Sequence, residues 1–396
     1  MRRGQLEDRH HERRQCATTV TDDVGSSESS ERLFTAATLF SGGGGADLGI
    51  HQAGGDVRFA IDFSPWAART HRANFPGRRF IQRDIRDFSR NQTNVGSLLS
   101  STALVIGGTD FTHASPPCQL FSHGSMTGIG DPSRISSHSG TRQAYAATLP
   151  FDAATFIHRI HSKTGTMENV PGLVERYPDY FERILNAIRF RDGIRAYYCA
   201  WKIVRADDFG VAQTRPRLFV IYIRKDVAES VGIWSDRSVL SLFPAPTTSA
   251  PRTIREALAD LYQSDADERP FFRSLRRTRL MDLLRQLPPS PPKPQRLKHV
   301  SSYFTLTRCS WDRPAPTLVI AGQKPDGLSG AIHPEFDRKF TIPELKRLFG
   351  LPDDFILAGP INQAVDTICN MVAPPVQKAI CDSIYKRVIE PFKEPS

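Results

Sequence analysis

The chain has 396 residues, enough for a large hydrophobic core and one or two domains. Hydrophobic residues make up 39% of it, its formal net charge is +10 and its pI is about 9.5. Its apolar runs are too short to cross a bilayer, and its charged N-terminus has no signal-peptide core, so we expect a soluble, cytoplasmic protein with no membrane partner.

The basic charge and the cysteines narrow the range of partners. A positive charge of this size suits a polyanion, because Lys and Arg release counterions from phosphate groups, although many basic proteins never contact nucleic acid. The six cysteines are widely scattered, and no pair has the close spacing of a zinc knuckle. We therefore expect no metal site and no disulfide bond.

The pattern changes at Leu33. Residues 1–32 are polar and lack a hydrophobic period, which predicts a disordered leader. After them, short apolar runs alternate with segments of helical period, which predicts an α/β fold with a doubly wound, mostly parallel sheet. The predicted strands are Ala36–Phe40, Val57–Ile61, a third that ends at Asp84, Ala103–Ile106 and Leu218–Ile223, and the predicted helices are Pro65–Asn74 and Phe151–His161.

Beyond Lys225 this alternation fades into an irregular, proline-rich stretch. Between Arg269 and Arg308 ten Lys and Arg residues face one acid, Asp282, and four aromatic residues are interleaved with them. A solvated basic helix and a nucleic-acid-binding insert both explain this run from charge alone. From Arg313 the sequence is globular again, with helices predicted at Ile342–Phe349 and Pro375–Val388.

A glycine-rich turn, Phe40-Ser-Gly-Gly-Gly-Gly-Ala46, follows the first predicted strand. Such a turn before a helix lets a ligand approach the backbone and is where nucleoside cofactors bind in doubly wound sheets, although a flexible loop is the simpler reading. Asp62 and Asp84 end the next two strands. Acids at these points hold ribose hydroxyls or simply cap helices.

Cys118 stands in the run Ser115-Pro-Pro-Cys-Gln119, after the strand predicted at Ala103–Ile106. Two prolines restrict the backbone before it, and the carboxyl end of a parallel strand is a usual place for catalytic groups. A thiolate becomes a strong nucleophile when positive charge lowers its pKa. The alternative is that Cys118 is a structural residue, as most cysteines in loops are.

Two further segments carry charged groups that could enter the same cleft. Glu168-Asn-Val170 places a carboxylate where it could act as a general acid or hydrogen-bond acceptor. Gln213-Thr-Arg-Pro-Arg217 has Arg215 and Arg217 at alternate positions, which favours one face of an extended strand. Together the arginines could bind a phosphate or a base, or form an ordinary basic surface strand.

The order of these motifs resembles that of the cytosine-5 DNA methyltransferases. Phe-Ser-Gly-x-Gly-Gly, Pro-Pro-Cys-Gln-x-Phe-Ser, Glu-Asn-Val and Gln-x-Arg-x-Arg follow one another as in that family. The segments Arg338–Phe355 and Asn370–Pro375 resemble its ninth and tenth motifs. The resemblance runs from about Leu33 to the C-terminus and implies a Rossmann-like methyltransferase fold with a smaller inserted target-recognition domain.

The resemblance also implies a mechanism. The target cytosine is flipped out of the duplex, Cys118 adds to carbon 6, and carbon 5 takes the methyl group of S-adenosyl-L-methionine. Glu168 binds the exocyclic amine and N3, and Arg217 with Arg215 binds the base or its phosphate. The residues implied in cofactor binding are Phe40, Gly42, Gly43, Gly44, Asp62, Asp84, Pro116, Asn370 and Val372, with Asp62 at the ribose and Asp84 at the adenine amine.

The same resemblance divides the chain and suggests partners. It implies a catalytic and cofactor-binding domain at 33–225, a target-recognition domain at 226–312 that includes the basic run, and a return to the catalytic domain at 313–396. Double-stranded DNA is the implied substrate. A stand-alone chain of this kind suits a restriction-modification system with a cognate endonuclease, and we expect a monomer.

The chain departs from the family in several places. Thr38 replaces an Asp, Asp62 a Glu and Cys369 a Gly, and the strand residues 161–167 are unusually polar. A weakly active or inactive DNA-binding relative is therefore an alternative. A transfer-RNA cytosine-5 methyltransferase is another, although the Cys-Phe-Thr signature of that branch is missing. An amino-methyltransferase fits poorly, because its Pro-Pro-aromatic motif lacks a catalytic cysteine.

Overall fold

A computed structural model of the chain describes residues 32–118, 120–121, 142–261, 286–298, 305–324 and 329–393. The predicted leader up to Glu31 lies outside these residues. So does most of the basic run, together with the four aromatic residues interleaved with it, Phe271, Phe272, Tyr303 and Phe304.

The described residues before 225 contain nine strands. They are β1 (Phe34–Leu39), β2 (Gly55–Asp62), β3 (Phe80–Gln82), β4 (Phe111–Ala114), β5 (Thr164–Asn169), β6 (Phe190–Arg191), β7 (Ile194–Arg195), β8 (Tyr197–Arg205) and β9 (Pro216–Arg224). Seven of them form one sheet in the order β3-β2-β1-β4-β5-β9-β8, and β6 and β7 form a small hairpin. Strands β1 to β5 pair in parallel, whereas β9 is antiparallel to β5 and β8. The prediction of a mostly parallel sheet is confirmed.

Helices cover both faces of this sheet. Ala37 and Leu39 of β1 belong to one buried cluster, and Phe34 and Ala36 of the same strand to another, because neighbouring side chains of a strand point to opposite faces. The helices up to residue 189 are α1 (Gly45–Gln52), α2 (Pro65–Asn74), α3 (Arg86–Ser89), α4 (Gln92–Ser101), α5 (Arg142–Ile160), α6 (Gly172–Arg176) and α7 (Pro178–Arg189). The doubly wound architecture is therefore confirmed.

The later part of the described chain adds further helices and a second sheet. These are α8 (Lys225–Ser230), α9 (Asp236–Val239), α10 (Ile254–Leu258), α11 (Ile320–Gln323), α12 (Ile342–Leu348), α13 (Ile361–Asn370), α14 (Pro374–Ile384) and α15 (Glu390–Lys393), with β10 (Gln295–Lys298), β11 (Thr305–Arg308) and β12 (Gly330–Ile332). The helix predicted at Ile342–Phe349 is confirmed. The one predicted at Pro375–Val388 ends as an α-helix at Ile384 and continues as a π-helical turn.

The strand predicted at Ala103–Ile106 is wrong. Val105 is 71% and Ile106 52% exposed, and the strand in question is β4, five residues further on. All four β4 residues are buried although the strand contains Thr112 and His113. Thr112 Oγ1 donates to Ser162 Oγ at 2.8 Å, and His113 Nδ1 lies 2.8 Å from Thr166 Oγ1. These hydrogen bonds inside the sheet satisfy the buried polar side chains. Because β4 contains them, it lacks the apolar run from which a buried strand is predicted. The third strand likewise ends at Gln82 rather than at Asp84.

The segment from 225 to 258 packs onto the sheet and the C-terminal helices. Val227 and Val239 share a buried cluster with Ile221 of β9, and Ile254 packs in another with Leu345. Arg308, the last residue of the basic run, is fully buried. Its guanidinium donates to the carbonyl oxygens of three residues, Leu287, His333 and Phe336, so this arginine stabilises the fold and does not face a partner.

None of the helices in the described ranges is both long and apolar enough to cross a membrane. Among the same residues, no group of three or more His, Cys, Asp or Glu side chains is arranged to hold a metal ion.

Candidate active site

The loop that carries Cys118 follows β4 and is hydrogen-bonded to the carboxyl ends of the two strands that flank β4, β1 and β5. Ser115 donates its backbone N–H to Leu39 O at 3.2 Å and its hydroxyl to Phe40 O at 3.0 Å. Asn169 Nδ2, at the end of β5, donates to Pro116 O at 3.1 Å. These bonds fix the loop between the glycine-rich turn and the Glu168-Asn-Val segment, so the motifs predicted to act together lie at one edge of the sheet.

Glu168 and Arg217 form an ion pair next to this loop. Their strands β5 and β9 are antiparallel neighbours, and Arg217 Nε lies 3.2 Å from Glu168 Oε1. Glu168 is only 8% exposed. Burial raises the pKa of its carboxyl above the ordinary value, and the charges of Arg217 and Arg215 offset this only in part. The site therefore contains a carboxyl group that holds a proton more readily than a surface glutamate does.

The half-buried thiol of Cys118 feels two opposing influences. Burial and the negative charge of Glu168 raise its pKa, whereas Arg217 and Arg215 lower it. The two arginines lower the pKa of the thiol, as the sequence analysis expects of positive charge. Burial and Glu168 raise it by more, so the pKa of Cys118 lies above that of an ordinary thiol. In this state Cys118 is a thiol rather than the thiolate that nucleophilic attack requires.

Arg215 and Arg217 do not share one environment. Arg215 is 2% exposed, and its guanidinium donates to the carbonyl oxygens of Cys369 at 2.7 Å and Met371 at 3.1 Å. A longer bond of 3.4 Å reaches Leu318 O. Burial lowers the pKa of Arg215 to about 9. Of the two arginines, only Arg217 lies beside Glu168 with part of its side chain exposed, while Arg215 holds backbone segments together.

The glycine-rich turn is shaped by contacts within the protein. Phe40, Gly42 and Gly44 have positive φ angles of 55°, 55° and 93°. A Cβ atom on Gly43 would collide with Met371, and one on Gly44 with Phe75. No atom of the described residues lies within 4 Å of the position that a Cβ on Gly42 would take. Close packing against neighbouring elements thus explains Gly43 and Gly44, while Gly42 borders open space.

Asp62 closes the turn from the end of β2. Its Oδ2 accepts the backbone N–H of Gly42 at 3.0 Å, and its Oδ1 accepts that of Ser64 at 2.8 Å. Burial raises the pKa of its carboxyl despite these bonds. The adjacent Phe63 is 58% exposed. Phe63 is not among the residues that the sequence predicts at the site. Its position directly after Asp62, the acid expected at the ribose, is the sequence signal that could have indicated it.

Asp84 is already occupied by protein groups. Arg86 binds both its carboxylate oxygens, with the shortest distance 2.8 Å, and the Tyr145 hydroxyl donates to Oδ2 at 3.1 Å. Burial opposes ionisation of this carboxyl, but the hydrogen bonds from Arg86 outweigh it and lower its pKa. An adenine amine would have to share this carboxylate with Arg86.

The C-terminal segment reaches the glycine-rich turn. Val372 is buried, and its carbonyl oxygen occupies the position that a Cβ on Gly45 would take. Asn370, at the end of α13, is exposed, and Pro116 is buried in the Cys118 loop. The structure therefore brings the tenth motif beside the first, as the resemblance implies.

The residues around the turn fit an adenosyl cofactor. The buried Ser41 hydroxyl has no hydrogen-bond partner among the described residues, and Gly42 leaves its side of the turn open. Asp62 offers a carboxylate suited to ribose hydroxyls, and the exposed ring of Phe63 offers a face for a purine. Oxygen acceptors and an aromatic face are the groups that such a cofactor requires.

The C-5 cytosine-specific DNA methylase family model matches residues 34–386 of the chain. The chain belongs to this family. The match includes every segment discussed above, from β1 to the tenth motif, and so the methylase family shares the whole arrangement of sheet, Cys118 loop and C-terminal return.

Similar proteins agree with this membership. Type II methyltransferase M.Eco47II of Escherichia coli is 25% identical over 368 residues, covering 89% of this chain and 79% of its own. Type II methyltransferase M1.HphI of Haemophilus parahaemolyticus is also 25% identical, over 89% and 87% of the two chains. Among solved structures, Spodoptera frugiperda DNMT2 matches with a TM-score of 0.58 and 14% identity, covering 89% of this chain and 99% of that one, which supports the fold alone.

Proposed function

We propose that the protein is a DNA (cytosine-5-)-methyltransferase that transfers a methyl group from S-adenosyl-L-methionine to a cytosine flipped out of a specific short duplex sequence. The observation that carries this proposal is the convergence of Cys118, Glu168 and Arg217 at one edge of the sheet. Family membership supplies the reaction class, and these three groups are the ones that addition to a cytosine ring needs.

The proposed chemistry begins when the Cys118 thiol gives its proton to solvent and the thiolate adds to carbon 6 of the cytosine. The protonated Glu168 carboxyl accepts a hydrogen bond from the exocyclic amine and gives its proton to N3 as negative charge develops on the ring. Carbon 5 then receives the methyl group that S-adenosyl-L-methionine supplies. Carbon 5 gives its proton to a water molecule, the bond between carbon 6 and Cys118 breaks to release the thiolate, and N3 returns its proton to Glu168, which restores the ring and releases the product base.

The electrostatics of the site support a coupled order of events. The charge of Glu168 is one of the influences that raise the pKa of Cys118. When Glu168 takes up a proton from solvent in order to bind N3, that negative charge disappears, and the same two arginines then act on the thiol against burial alone. Binding of the target base therefore favours formation of the thiolate at the moment when carbon 6 is in place.

The cofactor would lie along the glycine-rich turn. Ser41 and Gly42 border it, Asp62 binds its ribose, and Phe63 stacks on its adenine. Phe40, Gly43, Gly44, Pro116 and Val372 shape this pocket, and Asn370 borders it from the C-terminal segment. Asp84 contributes once Arg86 yields part of its carboxylate. Arg215 serves by holding the C-terminal segment in place rather than by binding phosphate.

We also propose that the chain has a catalytic domain at 33–225 and a target-recognition domain at 226–312, and that residues 313–396 return to the catalytic domain. The protein would act in the cytoplasm on double-stranded DNA, as a monomer, within a restriction-modification system that includes a cognate endonuclease. The names of the Type II relatives support this setting.

The test is transfer of labelled methyl groups to unmethylated duplex DNA by the wild type and by Cys118→Ser, followed by bisulfite mapping. Methylation in one short sequence context that is lost in the variant would support the proposal. Transfer to transfer RNA alone would favour the RNA enzyme. Cofactor and DNA binding without transfer to either would indicate an inactive relative.

A further inference from the structure

A buried polar cluster lies beneath the glycine-rich turn and takes no part in the proposed chemistry. Asp47 stands in the first turn of α1, and His71 in the last turn of α2, and both side chains are 1% exposed. His71 Nε2 lies 3.1 Å from Asp47 Oδ1. Because a carboxylate oxygen only accepts, the imidazole hydrogen lies on Nε2.

Thr38 completes the cluster from β1. It is fully buried, and its hydroxyl donates to the same Asp47 Oδ1 at 2.8 Å. Position 38 is where the resembling family has an aspartate. In this chain a carboxylate is instead supplied by Asp47 of α1, which accepts hydrogen bonds from Thr38 of β1 and His71 of α2.

His71 also lies close to the turn. Its Cδ2 is 3.3 Å from the position that a Cβ on Gly44 would take. Its ring packs against Phe75 and Phe80, with centroids 4.6 and 4.9 Å away. The imidazole is thus enclosed by the turn, α1 and two aromatic rings, and it has little freedom to reorient.

Two atoms of the pair are left for another partner. Asp47 Oδ2 and His71 Nδ1 are buried and have no hydrogen-bond partner among the described residues. Both residues line a small cleft, together with His51, Val57, Phe75 and Arg78.

Helix α2 is therefore anchored to the turn at both ends. At its start, Asp62 accepts the N–H groups of Gly42 and Ser64, and Ser64 Oγ caps the helix by accepting from Ala67 N at 3.3 Å. At its end, His71 binds Asp47. We infer that the Asp47–His71 pair is a positioning element of the cofactor site, which fixes the glycine-rich turn against α2 and so sets the places of Asp62 and Phe63.

This inference rests on the proposed cofactor, and its test is a titration with S-adenosylhomocysteine by isothermal calorimetry. His71→Gln keeps an N–H donor near Nε2, whereas His71→Asn cannot reach Asp47. We expect His71→Asn to weaken binding about tenfold and His71→Gln by no more than about threefold, as for the loss of one hydrogen bond to a charged group. His158→Asn is the matched control, because His158 is also a buried histidine whose Nε2 bonds to Ala187 O, at 2.9 Å, away from the turn.

The outcomes separate the two proposals. If the wild type does not bind S-adenosylhomocysteine, the proposed function fails and this inference with it. If the wild type binds and His71→Asn binds equally well, the function stands and the pair is merely structural. Should His71→Asn not fold, a tenfold loss in His71→Gln would overturn the inference. ¹⁵N NMR of labelled histidine gives an independent reading: we expect a hydrogen on Nε2 of His71, and a ring with its hydrogen on Nδ1 alone would contradict the pair.

Discussion

Arg217 Nε lies 3.2 Å from Glu168 Oε1, and both side chains act on the thiol of Cys118 with opposite sign. The carboxylate raises the pKa of the thiol and the guanidinium lowers it. The reactivity of the nucleophile is thus set by a pair of residues on two antiparallel strands, neither of which needs to touch the sulfur atom.

This balance predicts how the pH profile of thiol alkylation shifts. In a Cys16→Ser background, Glu168→Gln removes a negative charge, so the pKa of Cys118 falls and iodoacetamide reacts at lower pH than with the wild type. Arg217→Met removes a positive charge and shifts the profile to higher pH. The rate of alkylation against pH, with Cys118→Ser as the blank, measures both. Shifts in the same direction for the two variants would contradict the electrostatic account.

The two arginines of the Gln-x-Arg-x-Arg motif should differ in what they stabilise. Arg215→Met leaves buried carbonyl groups of Cys369 and Met371 without a donor, which costs on the order of 3 kcal/mol of unfolding free energy. Arg217→Met should cost less unfolding free energy than Arg215→Met while lowering methyl transfer, because the Glu168 carboxyl that it leaves behind has a raised pKa and can take up a proton. Urea unfolding and single-turnover assays on both variants check this. Equal losses of stability would argue against separate roles.

Sequence reasoning identified the short motifs that the sheet brings together. Cys118 follows β4 and Glu168 ends β5, and Arg217 lies beside Glu168 because β9, antiparallel to β5, begins at this edge. It failed for β4, whose Thr112 and His113 are buried only because partners in the sheet satisfy them.

The environment of Arg215 was equally beyond the sequence. Alternation along a strand predicts that Arg215 and Arg217 face the same way, but β9 begins at Pro216, between them. Arg215 instead meets carbonyl groups more than a hundred residues away in the chain. Likewise, nothing local marks Asp47 and His71 as partners, since their contact depends on how α1 and α2 pack.

The glycine-rich turn allows a test of packing against ligand contact. In Gly43→Ala the new methyl group overlaps Met371, so we expect a loss of about 1 to 3 kcal/mol of unfolding free energy and weaker cofactor binding. Thr367 Cγ2 would also lie 2.6 Å from the new methyl group, so Met371→Ala removes only one of the two overlaps. Measured against Met371→Ala alone, the double variant should therefore lose less unfolding free energy than Gly43→Ala loses against the wild type. The four chains of this cycle, compared by urea unfolding, give the coupling between the two positions.

Gly42→Ala is the control for that cycle. It meets no atom of the described residues, and its cost is the strain of a positive φ, about 1 kcal/mol. Met371→Ala should leave this cost unchanged. If it rescued Gly42→Ala as well as Gly43→Ala, the recovery would be a general effect of the Met371 substitution rather than relief of one collision.

The ninth motif contains a buried ion pair whose contribution should depend on pH. Arg338 Nη1 and Nη2 donate to Glu344 Oε2 and Oε1 at 2.7 and 2.9 Å, and Glu344 also caps α12 through Thr341. Burial opposes ionisation of Glu344, but Arg338 outweighs it, and the pKa of the carboxyl is lowered. Arg338→Met would leave the buried carboxylate with only the Thr341 N–H and the His333 imidazole beside it, at a cost of about 3 to 5 kcal/mol near neutral pH.

The sign of the pH dependence follows from the lowered pKa. A carboxyl of this kind stabilises the fold above its unfolded pKa, and that contribution is lost as the pH falls through the folded pKa. In Arg338→Met this carboxylate takes up a proton at a higher pH, and its neutral form is the cheaper one to bury. The gap in unfolding free energy between wild type and variant should therefore be widest near pH 7 and narrow steadily toward pH 3. Urea unfolding across this range measures the gap, and a gap that widened in acid would mean that Glu344 is not the titrating partner of Arg338.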